Sequence, residues 1–224
     1  RQAVGAPLPR PDHTRTFVVA NQKGGVGKTT TTVNLAVALA QHGLRVLVID
    51  LDPQGNASTA LATEHRRGTP STYDVLVDGM PIDDAVQAHP EIEHLEVVPA
   101  TIDLAGAEIE LVSMVSRENR LRTAIGKYLA NHSVDYVFID CPPSLGLLTL
   151  NALVGGDEML IPIQAEYYAL EGLGQLLETV QMVKTHLNPG LQISTILITM
   201  FDSRTNLAAG VAAEVREHFE DQVL

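Results

Sequence analysis

The chain has 224 residues, of which 45% are hydrophobic and 19% are charged, a composition typical of a globular protein rather than a disordered or fibrous one. Fifteen Lys and Arg against twenty-seven Asp and Glu give a formal net charge of −12, which by itself argues against binding to polyanions such as nucleic acids. No apolar run is long enough to cross a bilayer, and a single cysteine excludes an internal disulfide and favours a reducing cytosol.

The two ends of the chain differ in pattern from its middle. Residues 1–15 contain three prolines and are predicted to form an extended, poorly ordered tail ahead of a single domain over residues 16–224. The chain starts with Arg1 and shows no pattern typical of a signal peptide. Val223 and Leu224 follow a helical pattern directly and look like the start of a strand, which predicts a truncated or incompletely ordered carboxyl end.

Six short runs rich in β-branched residues predict strands. Most are continuously apolar rather than alternating, so we expect them to be buried on both faces of a sheet. The predicted strands are, in order, residues 17–20, 46–49, 95–98, 136–139, 159–163 and 193–200, and the predicted helices are residues 29–42, 104–131, 172–187 and 206–219. This alternation predicts an α/β fold, a doubly wound and mostly parallel β-sheet flanked by helices on both faces.

The first predicted strand leads into the sequence KGGVGKTT, which opens the first predicted helix. Glycines let successive backbone N–H groups turn towards one anion, and the helix amino terminus adds its partial positive charge. We expect Lys28 to reach the β- and γ-phosphates of a nucleotide and the Thr29 hydroxyl to take a Mg²⁺ position. Gln22 replaces the first glycine of the strict G-x4-G-K-[ST] pattern, and Lys23 is an additional lysine. The predicted cofactor-binding residues of this P-loop are Lys23, Gly24, Gly25, Val26, Gly27, Lys28, Thr29 and Thr30.

Two more predicted strands lead into aspartates. Asp50 and Asp52 are two residues apart and should point the same way on an extended chain, towards the ligand crevice of a doubly wound sheet. Asp140 follows four apolar residues in a Walker B pattern. Beside a triphosphate, such carboxylates hold Mg²⁺ or orient the attacking water, which predicts the metal ligands Thr29, Asp52 and Asp140 and a nucleotide-binding role for Asp50. A solvated turn is the alternative for residues 50–56.

Other residues near predicted strand ends are further candidates. We expect Pro142, Thr199 and Met200 to contact the nucleotide. Cys141 is interpreted as a packing residue rather than a nucleophile, because no helix amino terminus or nearby histidine supports a thiolate. The eight histidines lack the spacing of a zinc site.

A basic cluster precedes a long stretch without Lys or Arg. Arg117, Arg120, Arg122 and Lys127 fall on one predicted helix, where they form either a solvated helix face or a patch that contacts an anion or DNA. Arg204 follows the last predicted strand and is placed on the crevice side of the sheet.

Taken together, residues 21–30, 50–56 and 140–144 resemble the ParA-type (Soj-like) chromosome- and plasmid-partitioning ATPases, which belong to the deviant Walker A group of P-loop proteins. The resemblance runs from residue 16 to residue 224, and residues 73–76 and 163–172 look like the chromosomal branch. It implies a Mg²⁺-dependent ATPase that converts ATP to ADP and phosphate and forms an ATP-bound sandwich homodimer. It also implies that the dimer binds DNA without sequence preference and is released when a ParB-type partner stimulates hydrolysis.

The resemblance also implies roles for single residues. Lys23 matches the family's signature lysine, which reaches across the dimer to the partner's phosphates, and Asp52 matches the acid that positions the hydrolytic water. Lys23, Lys28 and Asp52 are therefore the expected catalytic residues. The chain ends before the family's last strand and the proline-containing loop beside adenine. A cytoplasmic, nucleoid-associated location is implied, with DNA contacts from Arg117, Arg120, Arg122 and Arg204 brought together only in the dimer.

Four other classes of protein are possible interpretations of the same motifs. A membrane-associated MinD-type ATPase is the main alternative, but it needs an amphipathic carboxyl-terminal helix, and residues 214–224 are too short and too acidic for one. An iron protein of the nitrogenase type needs a pair of cysteines. A metabolic ligase needs a small-molecule pocket, for which no residues stand out, and a structural protein does not need the loop.

Overall fold

The computed structural model describes residues 6–224 and contains a seven-stranded sheet in the order β3-β4-β2-β5-β1-β6-β7. Its strands are β1 (Arg15–Val19), β2 (Val46–Asp50), β3 (Gln87–Ala88), β4 (Leu95–Val98), β5 (Tyr136–Asp140), β6 (Glu158–Gln164) and β7 (Gln192–Thr199). β3 pairs antiparallel with β4, and the other neighbouring strands pair in parallel. The predicted doubly wound α/β sheet is thus confirmed, and all six predicted strands are present.

Helices connect the strands and cover both faces. The α-helices are α1 (Lys28–Gln41), α2 (Asn56–Ala60), α3 (Ile82–Ala85), α4 (Leu104–Val112), α5 (Arg120–Leu129), α6 (Leu147–Gly155), α7 (Ala169–His186) and α8 (Asn206–Phe219). A π-helical turn (Asp74–Asp78) and two 3₁₀ turns (Arg117–Asn119 and Glu220–Gln222) complete the helical elements. No helix within residues 6–224 is both long and apolar enough to cross a membrane.

The core has two layers, one on each face of the sheet. Neighbouring residues on a strand point to opposite faces, so Val19 packs into the layer beneath α1 while Val18 packs into the larger layer beneath α4 to α8. All five residues of β2 are buried, as expected for a central strand covered by helices on both sides. This double cover explains why the strands are continuously apolar in the sequence.

Some element predictions were wrong in detail. The predicted helix over residues 104–131 is two helices, because the chain turns at Ser116, which has a positive φ of 52°. The short elements β3, α2 and α3 were not predicted. α6 was also missed, because its residues Leu148, Ala152 and Val154 are buried together with their neighbours and leave no amphipathic period to detect.

The amino-terminal tail prediction falls partly outside the described residues, since residues 1–5 are not among them. Residues 6–14 form no helix or strand. They nevertheless contact the domain, since the Leu8 N–H donates to the His42 carbonyl over 3.2 Å and the Thr14 hydroxyl donates to the Val134 carbonyl over 2.6 Å. Arg15 already belongs to β1.

The last two residues pair with the edge strand β7. Val223 bridges to Ile196 in parallel, and the Leu224 N–H donates to the Ile196 carbonyl over 2.9 Å. The Leu224 carbonyl in turn accepts the Ile198 N–H over 2.9 Å. The predicted strand start at residues 223–224 is therefore confirmed.

Candidate nucleotide-binding site

The glycine-rich loop links β1 to α1 at the carboxyl edge of the sheet. Gly25 and Gly27 have φ values of 72° and 95°, in the left-handed region that favours glycine. α1 begins directly after Gly27, and no side chain caps its first turn. The first amides of a fourteen-residue helix are thus open to an anion, which adds to the charge of the helix end.

A cavity of about 520 Å³ lies over this loop. Its walls come from the loop, from the segments after β2 and β5, and from the end of β7. The lining residues are Gly24, Gly25, Gly27, Lys28, Thr29, Thr30, Thr31, Asp52, Gln54, Asn56, Pro143, Thr199 and Met200. Most predicted loop residues are therefore brought together with Asp52, Thr199 and Met200 around one space.

Five predicted site residues do not line this cavity, namely Lys23, Val26, Asp50, Asp140 and Pro142. Val26 is buried beneath the loop, where its carbonyl accepts the Thr199 hydroxyl over 2.7 Å and so joins the loop to β7. Pro142 is buried, and the next residue, Pro143, takes its place in the wall. Asp50 is fully buried. Neither Pro142 nor Asp50 borders this cavity, and their contact with a nucleotide stays a prediction.

Lys28 is almost completely buried at the base of the loop. Its ammonium group donates a hydrogen bond of 2.7 Å to the Lys23 carbonyl. Burial lowers the pKa of Lys28, whereas the nearby carboxylates of Asp140 and Asp52 act in the opposite direction. This ammonium group is therefore held in place before any phosphate arrives.

Asp140 ends β5 directly below α1. The Thr29 hydroxyl donates to its Oδ2 atom over 2.7 Å, while its Oδ1 atom is buried without a hydrogen-bond partner in the part of the chain that the structure describes. Burial, followed by the negative charge of Asp50, raises the pKa of Asp140 to about 7. A buried carboxylate oxygen without a partner is costly unless a cation or a water-bound cation compensates it, which fits a site for Mg²⁺.

Asp50 faces away from the cavity because α2 supplies its partners. Its carboxylate accepts the Ser58 N–H over 2.9 Å, the Ser58 hydroxyl over 2.6 Å and the Asp52 N–H over 3.0 Å. Burial raises the pKa of Asp50 to about 6. Asp52, in contrast, lines the cavity and accepts the Gln54 N–H over 3.0 Å. Asp50 is thus a positioning residue that fixes the turn carrying Asp52.

The protein supplies only part of a metal coordination shell. Within residues 6–224, no group of three or more His, Cys, Asp or Glu side chains is arranged to hold a metal ion. Mg²⁺ prefers six oxygen ligands and usually keeps waters and substrate phosphates among them. Thr29, Asp52 and Asp140 therefore fit a metal that arrives with a nucleotide rather than a resident metal.

Lys23 leaves the loop on the side opposite to the phosphate cradle. Its ammonium group forms an ion pair with the Glu166 carboxylate, and both side chains are partly exposed. A second cavity of about 260 Å³ opens beside this pair and is also lined by Gln22, Tyr168 and Gln175. Glu166 was missed as a functional candidate, although the stretch that contains it was noted for its resemblance to chromosomal partitioning proteins.

The predicted DNA-contacting arginines occupy different environments. Arg120 is half-buried and donates to the Leu76 and Val77 carbonyls, so it stabilises the end of the π-helical turn, and its contact with DNA stays a prediction. Arg117 is exposed and donates to the Val112 carbonyl over 2.5 Å.

The remaining two arginines lie on other elements. Arg204 is exposed and forms a two-point ion pair with Asp202, with both distances 2.9 Å. Arg122 is exposed on α5 and has no hydrogen bond or ion pair among residues 6–224. Because Arg204 follows the edge strand β7, one subunit does not present these arginines as a single strip.

Comparisons with known proteins agree with this geometry. The AAA domain family matches residues 14–193. The sporulation initiation inhibitor protein Soj of Bacillus subtilis (strain 168) is 54% identical over 207 residues, which cover 92% of this chain and 81% of that protein. The chromosome partitioning protein ParA of Myxococcus xanthus (strain DK1622) is 53% identical over 210 residues, which cover 93% of this chain and 73% of that protein.

A solved structure shows the same fold with a nucleotide. Cobyrinic acid a,c-diamide synthase from Mycobacterium smegmatis, with a bound ATP analogue and magnesium, superposes with a TM-score of 0.83 and 41% sequence identity, covering 92% of this chain and 83% of that one. The P-loop cavity, the acids around it and the identity to Soj and ParA lead to one conclusion. The chain belongs to the ParA/Soj family of Mg²⁺-dependent P-loop ATPases.

Proposed function

We propose that this protein is a DNA-segregation ATPase that works in the cytoplasm on the nucleoid. Two ATP-loaded copies pair, the dimer binds DNA without sequence preference, and hydrolysis stimulated by a ParB-type partner releases it. The name of the relative ParA, a chromosome partitioning protein, supports the process, and the P-loop cavity supports the nucleotide. The single observation that carries the ATP and Mg²⁺ assignment is the Thr29–Asp140 hydrogen bond, together with the unpartnered Oδ1 atom of the Asp140 carboxylate.

Within one subunit, the loop would hold the phosphates of the nucleotide. Backbone N–H groups at the start of α1 and the Lys28 ammonium group would bind phosphate oxygens, and the walls at Thr199 and Met200 would border the rest of the nucleotide. Thr29 and Asp140 would hold the metal, directly or through water. Mg²⁺, when bound, supplies positive charge that stabilises the negative charge developing on the transferred phosphoryl group.

Asp52 is the proposed acid that orients the attacking water. Its carboxylate borders the cavity and is fixed by the Gln54 N–H, while Asp50 holds the turn from behind. A carboxylate held in this way accepts a hydrogen bond from water and keeps one lone pair of that water directed at the phosphorus. Loss of this group should slow hydrolysis far more than it weakens binding.

Lys23 is proposed to act on the nucleotide of the second subunit. Its carbonyl holds Lys28, but its own side chain points away from the cradle towards Glu166. Since Lys28 already serves the local phosphates, a second lysine at the rim is better placed to stabilise charge in trans, as an arginine finger does. Hydrolysis would then depend on dimerisation.

DNA binding must overcome a net charge of −12 in each subunit. Exposed charges farther apart than about 8 Å are largely screened at physiological salt, so a local basic strip is sufficient. Arg122 is exposed and available for such a contact. Arg117, which precedes α5, and Arg204, which follows β7, are also exposed. Pairing of two subunits would bring such arginines together on one surface.

Sedimentation with three kinds of target tests the proposal. The protein is incubated with Mg²⁺ and a slowly hydrolysed ATP analogue, alone, with double-stranded DNA of arbitrary sequence, and with anionic liposomes. A dimer that sediments with DNA and not with liposomes is expected. In a parallel sample that contains ATP in place of the analogue, a ParB-type protein should release the dimer from DNA. Sedimentation with liposomes alone would favour the membrane-associated alternative.

A further inference from the structure

Helix α4 has two apolar faces, of which the chain covers one. Leu104, Ala107 and Leu111 pack into the core. A second stripe, which we call the outer stripe, contains Ala105, Ile109 and Val112 at helical spacing on the opposite side, together with Ile102 in the turn just before the helix. The side chains of Ile102, Ile109 and Val112 are 57%, 80% and 58% exposed. Exposed apolar side chains grouped in this way mark an interaction surface, and no residue within 6–224 covers the outer stripe.

The outer stripe lies at the same edge of the sheet as the nucleotide cavity. α4 starts just after the carboxyl end of β4, and its Glu108 carboxylate accepts the Leu148 N–H over 3.1 Å, just after the carboxyl end of β5. A Cβ atom on Gly146 would overlap Glu108, so the two segments are in close contact. Pro143, in the segment that α4 touches, forms a wall of the cavity. α4 therefore crosses the carboxyl edge next to the site.

More exposed apolar side chains follow the other strands at this edge. Tyr167 comes after β6 and is 74% exposed, and Met200 and Phe201 come after β7 and are 57% and 46% exposed. The partly exposed Lys23 lies between these two groups of residues, on the loop after the central strand β1. The edge that Lys23 must present to a second subunit thus carries apolar side chains on both sides.

The charges around the outer stripe do not suit a strongly basic partner. Asp103 is paired with Arg67 over 2.9 Å, Glu108 is turned towards the Leu148 N–H, and the exposed Glu110 accepts the Tyr73 hydroxyl over 3.0 Å. The exposed Arg117 lies at the carboxyl end of α4, opposite to Asp103 at its amino end. Two copies of a chain with a net charge of −12 can approach closely only through surface that is uncharged or neutralised, and this stripe is such a surface.

We infer that a second copy of this chain covers the outer stripe of α4 in the nucleotide-loaded dimer. This inference rests on the proposed function, because it uses the same two-fold pairing that places Lys23 near the partner's nucleotide. A two-fold interface is made of the same patch on both subunits, so each outer stripe is buried once. The area of one outer stripe is smaller than the roughly 800 Å² of surface that each partner buries in a stable interface. Its burial therefore depends on nucleotide, which supplies the rest of the contact.

Thiol protection measures this burial directly. The variant Ile109→Cys is alkylated with a maleimide in the presence and absence of Mg²⁺ and ATPγS, while native Cys141, which is buried, provides little background. We expect alkylation at position 109 to slow by roughly tenfold or more when the dimer forms. The matched control is Met182→Cys on α7, a site that is 52% exposed and lies away from the carboxyl edge. Its reactivity should not change.

A charge substitution provides the second test. Ile109→Glu should raise the dimer dissociation constant with ATPγS by roughly tenfold or more, since it places an unpaired carboxylate in an apolar contact. Met182→Glu should dimerise like the parent protein. Nucleotide affinity of monomeric Ile109→Glu should equal that of the parent, which also shows that the variant is folded.

The outcomes separate this inference from the proposed function. If the parent dimerises with ATPγS while the cysteine at position 109 stays fully reactive, or if Ile109→Glu dimerises at the parent concentration, the outer stripe is not covered by a second copy. The proposed function would survive that result. If the parent protein stays monomeric with ATPγS at all concentrations, both the inference and the proposed dimer are wrong.

Discussion

The Thr29 hydroxyl donates a 2.7 Å hydrogen bond to Oδ2 of Asp140, and the second oxygen of that carboxylate is buried without a partner in the described chain. One hydrogen bond thus joins the start of α1 to the end of β5. The unpartnered oxygen lies where a cation would balance its charge. We therefore expect this pair to link the stability of the nucleotide-free protein to the binding of metal and nucleotide.

Replacement of Lys28 should remove nucleotide binding. Lys28→Ala deletes the buried ammonium group at the expected position of the β- and γ-phosphates, and a loss of roughly 100-fold or more in affinity or turnover is expected. Titration with a fluorescent ATP analogue and a phosphate-release assay measure both quantities. Lys127→Ala, an exposed lysine on α5, is the matched control. Unchanged affinity and turnover in Lys28→Ala would refute the assignment of the phosphate loop.

Substitution of Asp52 should slow ATP hydrolysis, whereas substitution of Asp140 should weaken Mg²⁺ binding. Asp52→Ala should bind ATP and Mg²⁺ normally and hydrolyse slowly, so that the dimer and its DNA complex accumulate. Asp140→Ala should instead raise the Mg²⁺ concentration needed for half-maximal ATP binding. Single-turnover hydrolysis and a Mg²⁺ titration distinguish the two variants. Hydrolysis at the parent rate in Asp52→Ala would exclude its role in orienting water.

Lys23 should be needed only when two subunits meet. Lys23→Gln should bind ATP nearly normally as a monomer but lose ATP-dependent dimerisation, DNA binding and stimulated hydrolysis together. Light scattering with ATPγS, beside a nucleotide titration, measures this separation. A Lys23→Gln protein that dimerises and hydrolyses ATP like the parent would rule out a role in trans.

Glu166 should hold Lys23 in the monomer. The ion pair between them occupies the Lys23 ammonium group, so Glu166→Gln should let dimers form with ATPγS at lower protein concentration. The effect should be modest, because partly exposed ion pairs contribute at most about 1 kcal/mol. Glu171→Gln, an exposed carboxylate in the first turn of α7, is the control. A dimer that becomes weaker in Glu166→Gln would show that the carboxylate supports dimerisation instead.

The stability of the nucleotide-free protein should fall between pH 4 and pH 7. Burial raises the pKa of Asp50 to about 6 and that of Asp140 to about 7, from an ordinary value of 3.8. The folded state then binds more protons than the unfolded state in this range, so stability decreases as pH rises. A difference of one pH unit between folded and unfolded pKa values corresponds to about 1.4 kcal/mol.

Asp140→Asn isolates this contribution, because an amide keeps the acceptor for Thr29 without the charge. Its melting temperature should depend less on pH than that of the parent, whereas Asp84→Asn, an exposed carboxylate, should follow the parent. Thermal unfolding from pH 5 to pH 8 without nucleotide measures the slopes. Equal slopes in Asp140→Asn and the parent would contradict the assignment.

DNA binding should be electrostatic and indifferent to sequence. The logarithm of the binding constant should fall linearly with the logarithm of salt concentration, as counterion release requires. Arg122→Ala should weaken binding to all sequences alike and reduce the slope by roughly one for each phosphate that is no longer neutralised. Arg66→Ala, an exposed arginine already paired with Glu64, is the control. Binding that survives high salt, or prefers one sequence, would contradict this mechanism.

Local patterns were sufficient to predict the sheet and the centre of the site. Continuous apolar runs predict strands buried on both faces, and the loop before α1 needs glycines where φ is positive, so its residue types follow from its shape. Asp140 was predicted as a metal ligand because a strand end at the carboxyl edge is a favourable place for a metal-binding acid. These are properties of neighbours in the chain, which a sequence displays directly.

Other features depend on contacts between distant segments. Asp50 turns away from the cavity because Ser58 supplies its hydrogen bonds, and Arg120 is engaged by the carbonyls of Leu76 and Val77. No spacing in the sequence shows which of two acids at a strand end meets the ligand, or which arginine is already bound.

The sequence alone thus determined the α/β sheet, the phosphate loop and the acids around it, because these depend on residue type and local geometry. Tertiary structure decided which side chains are free to act. It joined Thr29 to Asp140 across 111 positions, paired Lys23 with Glu166 and left the outer stripe of α4 uncovered. Such relationships arise only when packing brings remote segments together, since burial and hydrogen-bond partners are properties of the folded chain.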